Sequence, residues 1–146
     1  MVSIVRRFVE HSLDRMIGDP AAMSRVSMAA HELLENAAKY GISEHTDLVV
    51  QVTARGQQAR VRLRNQTTPS HIARLRERIE QLRTACSPSS FYEQLMRHTR
   101  EAGDDESGLG LARICAEGDL QLALEVEGDT VTIMASSQPA GIKHVG

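Results

Sequence analysis

Glu32, Asn36 and Lys39 are the residues of this chain whose types and spacing could do chemistry together. They sit in the run His31 to Gly41, HELLENAAKYG. A helix turns about 100° per residue, which brings the three within roughly 60° of one another on one stripe. Val26, Ala30, Leu33 and Ala37 fall on the neighbouring sector, where a sheet could cover them, and His31, Glu35 and Ala38 take the wetted side. A carboxylate, an amide and an ammonium beside an apolar face suit a magnesium–triphosphate site. The amide oxygen can ligate a hard cation, the ammonium can meet a phosphate, and the carboxylate can orient or deprotonate an attacking hydroxyl. Taken alone, the pattern also fits an ordinary amphipathic helix with its charges in water.

Ser107-Gly108-Leu109-Gly110-Leu111-Ala112 adds a second group of the same kind. Its two glycines open an apolar run, Leu109 to Ala116, which stops before Gly118, a natural helix end. Glycines at a helix N-terminus let backbone N–H groups approach a phosphate, and the helix dipole assists. One G-x-G is weak evidence by itself; in this order after the first motif, the pair is more specific.

With both motifs in view the chain resembles the GHKL, or histidine-kinase-like, ATPase superfamily. ENAAKY is similar to its N box and SGLGLA to its second glycine box. The Glu-x-x-x-Asn form and the small size resemble the stand-alone bacterial serine/threonine kinases of partner-switching systems, among them anti-sigma-factor kinases and SiaB-like proteins. The likeness spans nearly the whole chain, from about residue 20 to 136. It implies ATP and Mg2+ as cofactors, with Asn36 ligating the metal, Glu32 acting as base or orienter, and Lys39 contacting phosphate. It also implies that Tyr40 flanks the nucleotide and that the backbone of Gly108, Leu109 and Gly110 closes on the phosphates. The implied partner is a small regulatory protein, a STAS-like antagonist or an analogue; a homodimer is left open. One departure is plain. The first glycine box, an Asp-x-Gly-x-Gly, is replaced by Asn65-Gln66-Thr67-Thr68-Pro69. Asn65 stands where the adenine-reading Asp belongs; its amide oxygen can still accept a hydrogen bond, without the charge. That departure supports the contrasting reading, an interaction module that kept the fold and lost nucleotide use.

The elements that must carry these residues can be read from periodicity and turn chemistry. Ser3 to Ile17 reads as a helix, broken at Gly18-Asp19-Pro20, and Pro20 suits the first turn of the next. That helix runs to about Tyr40 and ends at Gly41, a good left-handed stop. Asp47 to Ala54 and Ala59 to Arg64 alternate as a hairpin around Arg55-Gly56-Gln57. Helices follow over about Pro69–Thr84 and Ser89–Ala102, separated by Ser87-Pro88-Ser89-Ser90. Then come an acidic loop at Gly103–Glu106, the glycine segment with its helix, and a hairpin of Leu120–Val126 and Thr130–Ala135 across Glu127-Gly128-Asp129. The order predicts an α+β fold, a two-layer α/β sandwich with helices on one face of a mostly antiparallel sheet. A single domain, 1–136, is expected, with 67–107 as a long helical lid and 137–146 as a loose tail.

Composition sets limits. The 146 residues can bury one core without staples. A net charge of −2, from 17 basic and 19 acidic residues, gives no pull toward nucleic acid. Arg60, Arg62 and Arg64 alternate along a strand and read as one solvated sheet face. Two cysteines, Cys86 and Cys115, are too few for a disulfide framework. No stretch approaches the ~18 apolar residues of a membrane span and no secretory pattern is present, so a cytoplasmic protein is expected. His31-Glu32 begins like the zinc motif H-E-x-x-H, but position 35 is Glu. His11, His71 and His98 have no ligand spacing and read as surface residues, and no dimerising hairpin precedes a catalytic domain to make His11 a phosphoacceptor.

Overall fold

The computed structural model describes residues 20–43, 45–52, 58–102 and 108–137. The expected helix at Ser3–Ile17, the turn at Arg55–Gln57, the acidic loop and all but the first residue of the tail lie outside them. Within the described residues the chain is α+β: helix α1 (Pro20–Tyr40), strands β1 (Asp47–Val52) and β2 (Ala59–Gln66), helices α2 (Pro69–Thr84), α3 (Pro88–Ala102) and α4 (Leu109–Ala116), and strands β3 (Gln121–Glu127) and β4 (Thr130–Ser136). The sheet is antiparallel throughout, in the order β1-β2-β4-β3. It is open rather than closed, with helices packed on one face as the second layer.

Alternation along the strands decides which face is covered. Cross-strand rows Val50–Val61–Ala135–Leu122 and Leu48–Leu63–Ile133–Leu124 point at the helices and form the floor of the core. The other face carries Arg60, Arg62 and Arg64, all exposed, as their spacing predicts. Helix α1 lays Val26, Ala29, Ala30, Leu33, Leu34 and Ala37 on this floor, all buried. The short helix α4 packs against α1, α2, α3 and β3, and buries Leu111, Ala112 and Ile114. No helix among the described residues is long and apolar enough to cross a membrane.

Three junctions depart from the sequence-based expectations. Gly41 is not left-handed; among the described residues the glycines with positive φ are Gly108 and Gly128. Helix α1 ends because the chain joins the sheet: Gly41 bridges Thr67, Ile42 N donates to Gln66 O at 3.0 Å, and the Thr67 hydroxyl donates to Tyr40 O at 2.7 Å. After α4 the left-handed residue is Asp119 (φ 53), not Gly118. Ser87-Pro88 is a helix start rather than a separator, since Ser87 Oγ accepts from Ser90 N at 3.2 Å and Pro88 fills the first turn of α3. Where the hairpin between β3 and β4 was expected, Glu127 pairs with Thr130 and Gly128 (φ 63) opens a two-residue loop, the glycine position of a type II′ turn.

The segment expected as a lid divides into two structural roles. Thr68 caps α2 by accepting from His71 N at 3.2 Å, and Pro69 follows in the first turn. The helix then buries Ile72, Leu75, Ile79 and Leu82 over β3 and belongs to the main layer. Helix α3 lies outside α4, with Phe91, Tyr92 and Leu95 half-buried against the core.

Candidate functional site

A cleft runs along the polar stripe of α1, walled by the start of α4. It comprises two adjoining cavities. The larger, of about 270 Å³, is lined by Glu32, Glu35, Asn36, Lys39 and Tyr40 of α1, Thr99 of α3, and Gly108, Leu109, Gly110 and Leu111. The smaller, of about 140 Å³, shares Asn36, Tyr40, Gly108 and Leu111, and adds residues of α2 such as His71, Arg74 and Arg78. Asn36 therefore borders both. Seven of the eight site residues expected from sequence line the larger cavity.

The eighth, Asn65, lies elsewhere. It occupies the inner face of β2 in the row with Val131 and Val126 and is 7% exposed. Its Nδ2 donates to Gln66 O at 3.5 Å and sits close to Gly41, so it backs the Tyr40 end of the cleft without lining either cavity.

Close packing explains both glycines of the second motif. Gly108 caps α4 at φ 73, and a Cβ there would come within 2.8 Å of Arg78 Nε. A Cβ on Gly110 would collide with Glu32 Oε2. The first bond of the helix is Ala112 N to Gly108 O at 3.3 Å, and the turn it closes, Gly108 to Leu111, lines the larger cavity at the positive end of the helix dipole.

Glu32 is not a bare carboxylate. Its side chain is 18% exposed, and its Oε1 accepts from Arg113 Nη1 at 3.1 Å. Arg113 also donates through Nε to Glu117 Oε2 at 2.6 Å. These two carboxylates, Glu117 foremost, raise the guanidinium's pKa above its ordinary value, so Arg113 is a permanent cation bridging α1 and the C-terminal end of α4. Tyr92 of α3 stands close by; burial first, then the charges of Glu117 and Glu32, raise the pKa of its phenol against the opposing pull of Arg113.

Sequence reading missed Arg113, although it lies three residues beyond Gly110 and so on the same helix face. It also misplaced His71, which is buried rather than on the surface. Its ring stacks on Tyr40 with centroids 4.1 Å apart and planes 19° from parallel, while Lys39 Nζ lies 5.5 Å from the Tyr40 centroid on the same wall. His98 is exposed, as expected, and among the described residues no His/Cys/Asp/Glu group could hold a metal. Cys115 is half-buried, and desolvation pushes its thiol up to about 11, which makes it unreactive at neutral pH.

Comparison with known proteins gives no family: no protein-family model matches the chain, and no curated protein matches it.

Proposed function

We propose that this chain is a GHKL-type ATPase domain that binds Mg-ATP and phosphorylates serine or threonine on a small regulatory protein, a STAS-like antagonist or analogue, in a bacterial cytoplasmic partner-switching pathway. The observation that carries this reading is convergence. Glu32, Asn36, Lys39 and Tyr40 of α1 face Gly108, Leu109 and Gly110 of α4 across one cavity. The α+β sandwich that brings them together is the architecture the resemblance implies.

The donor set fits the implied cofactors. A single amide beside a phosphate cradle is a normal protein contribution to a magnesium site, because that ion keeps water and substrate oxygens as its other ligands. Asn36 opens onto both cavities and would supply that oxygen. Magnesium, when bound, would neutralise phosphate charge. Lys39 and the first-turn amides of α4 would hold the phosphates, and Tyr40, stacked on His71, would flank the base. Glu32 would accept a hydrogen bond from the acceptor hydroxyl and take its proton. Arg113 and the absence of a Cβ on Gly110 fix that carboxylate in place. Positioning and charge neutralisation of this kind supply most of the catalysis in phosphoryl transfer.

Asn65 provides the test of the adenine end. Asn65 lines neither cavity, so this reading requires the base to reach it from the Tyr40 end; Asn65→Asp then preserves or tightens ATP binding, since a carboxylate accepts the adenine amino hydrogen bond more strongly. Asn65→Leu weakens it by about 1–3 kcal/mol, and the wild type prefers ATP to GTP. Equilibrium titration of the three proteins with both nucleotides checks this; indifference to both substitutions would remove Asn65 from the site.

One observation favours a second reading, an interaction module that no longer uses nucleotide. Asn65 backs the cleft instead of lining it, and the glycine positions of the first box hold Thr67, bridged to Gly41 in the sheet, and Pro69, in the first turn of α2. Absence of nucleotide binding in the wild type would make that reading the better account.

A further inference from the structure

We infer that the free edge of the sheet at β1 pairs, antiparallel and about a two-fold axis at Val49, with β1 of a second copy of this chain. The inference is independent of nucleotide use. β1 is the outer strand in the order β1-β2-β4-β3, and among the described residues nothing pairs with its far side. Gln66 O of β2 points to this side of the sheet, where it accepts from Ile42 N at 3.0 Å. Backbone groups alternate along a strand, so those of Arg64, Arg62 and Arg60 also point at β1, and their opposites Asp47, Val49 and Gln51 point back. The N–H and C=O groups of Leu48, Val50 and Val52 are therefore the ones directed out from the edge.

The two edges of the sheet differ in how they are guarded. Exposed edges ordinarily carry charge, proline, a bulge or a cover that deters a further strand. β3, at the other edge, has Glu125 and Glu127 on its outer face and lies under α2 and α4. β1 reads Asp-Leu-Val-Val-Gln-Val, with one charge, no proline and an unbroken register against β2. Ile42, a large hydrophobic residue left 58% exposed, continues the same edge through its bond to Gln66.

What fits this edge is the same strand turned round. With Val49 opposite the partner's Val49, Leu48 meets the partner's Val50 and Asp47 meets the partner's Gln51. Leu48 and Val50 then exchange backbone hydrogen bonds with the partner's Val50 and Leu48. Buried residues stay on the helix side, and the core row Val61–Val50 runs on into the partner's Leu48 and Leu63. A slip of one residue would turn that face outward. The charges also agree. On the outer face Asp47 stands between Arg64 and the partner's Gln51, with the partner's Arg60 next in the row, and the central row joins the two Val49 side chains between the Arg62 pair. No like charges stand directly opposite one another. The product joins two four-stranded sheets into one.

Sedimentation equilibrium of the full chain over a concentration series tests the pairing, and the expected result is a monomer–dimer equilibrium. Val49→Lys sets two ammonium groups opposite each other and raises the dissociation constant at least about 10-fold. Ala123→Lys, on the outer face of β3, leaves it unchanged. Oxidation in a Cys86→Ser background, which removes the exposed native thiol, reads the register without adding charge. Val49 meets its counterpart at a non-hydrogen-bonded pair, with about 4.5 Å between Cα atoms, within disulfide reach. Val49→Cys therefore links the two chains. Gln51→Cys does not, because its counterpart lies four residues away, roughly 13 Å along the strand. A monomer at every concentration overturns the inference. So does a dimer that is indifferent to Val49→Lys, or one that Gln51→Cys links as readily as Val49→Cys.

Discussion

On the proposed reading, replacing Glu32 with glutamine is expected to slow phosphoryl transfer about 100- to 10,000-fold, the range removed with a general base, and to leave nucleotide affinity unchanged. The side chain's position explains the separation. Its Oε1 is held by Arg113 at 3.1 Å and its Oε2 lies against Gly110, so it is fixed at the wall of the cavity. Glutamine keeps the shape and an oxygen for Arg113 but cannot take a proton. A group that acts on the acceptor hydroxyl contributes in the transition state and little to ground-state binding. Transfer of γ-labelled phosphate, read beside a nucleotide titration, checks the split. Equal loss of affinity and rate would assign Glu32 a different task, that of docking α4 onto α1 through Arg113.

One residue along, Leu33→Ala acts on the fold instead. Leu33 is 0% exposed, wedged between α1 and the sheet floor in the cluster with Leu63 and Ile133. Truncation removes the transfer energy of the lost groups and leaves a cavity that the neighbours close only in part. The expected loss is about 2–5 kcal/mol, read as a fall in the urea midpoint with the slope unchanged. A loss of less than about 1 kcal/mol would contradict the burial of this face and the packing that orients the stripe beside it.

The contrast between positions 32 and 33 also marks what the sequence made legible. Local periodicity separated buried Val26, Ala30, Leu33 and Ala37 from exposed His31, Glu35 and Ala38 without any knowledge of the sheet. The same helical geometry put Glu32, Asn36 and Lys39 on one stripe, and the glycine spacing pointed to the turn that faces them. What escaped depends on contacts distant in sequence. Gly41 carries a stop signal, yet the helix ends because Thr67 pairs with it across the sheet. His71 looked like surface because nothing local says that α2 would dock and stack it on Tyr40. Arg113 was passed over because its meaning lies in Glu32, 81 residues away. Pro88, expected in the separator between two helices, instead opens the second one with Ser87 as its cap, a signal that is local.

The central claim is that Asn36 makes this cleft a magnesium-dependent nucleotide site, and calorimetric titration with ATP, with and without magnesium, tests it most directly. The wild type should show heat of binding that strengthens with the metal. Asn36→Ala should lose that dependence, because no other amide in the Glu32–Lys39 stripe offers an oxygen to a hard cation. Wild-type protein that gives no heat at millimolar nucleotide, or an Asn36→Ala protein with the same magnesium dependence, would contradict the account.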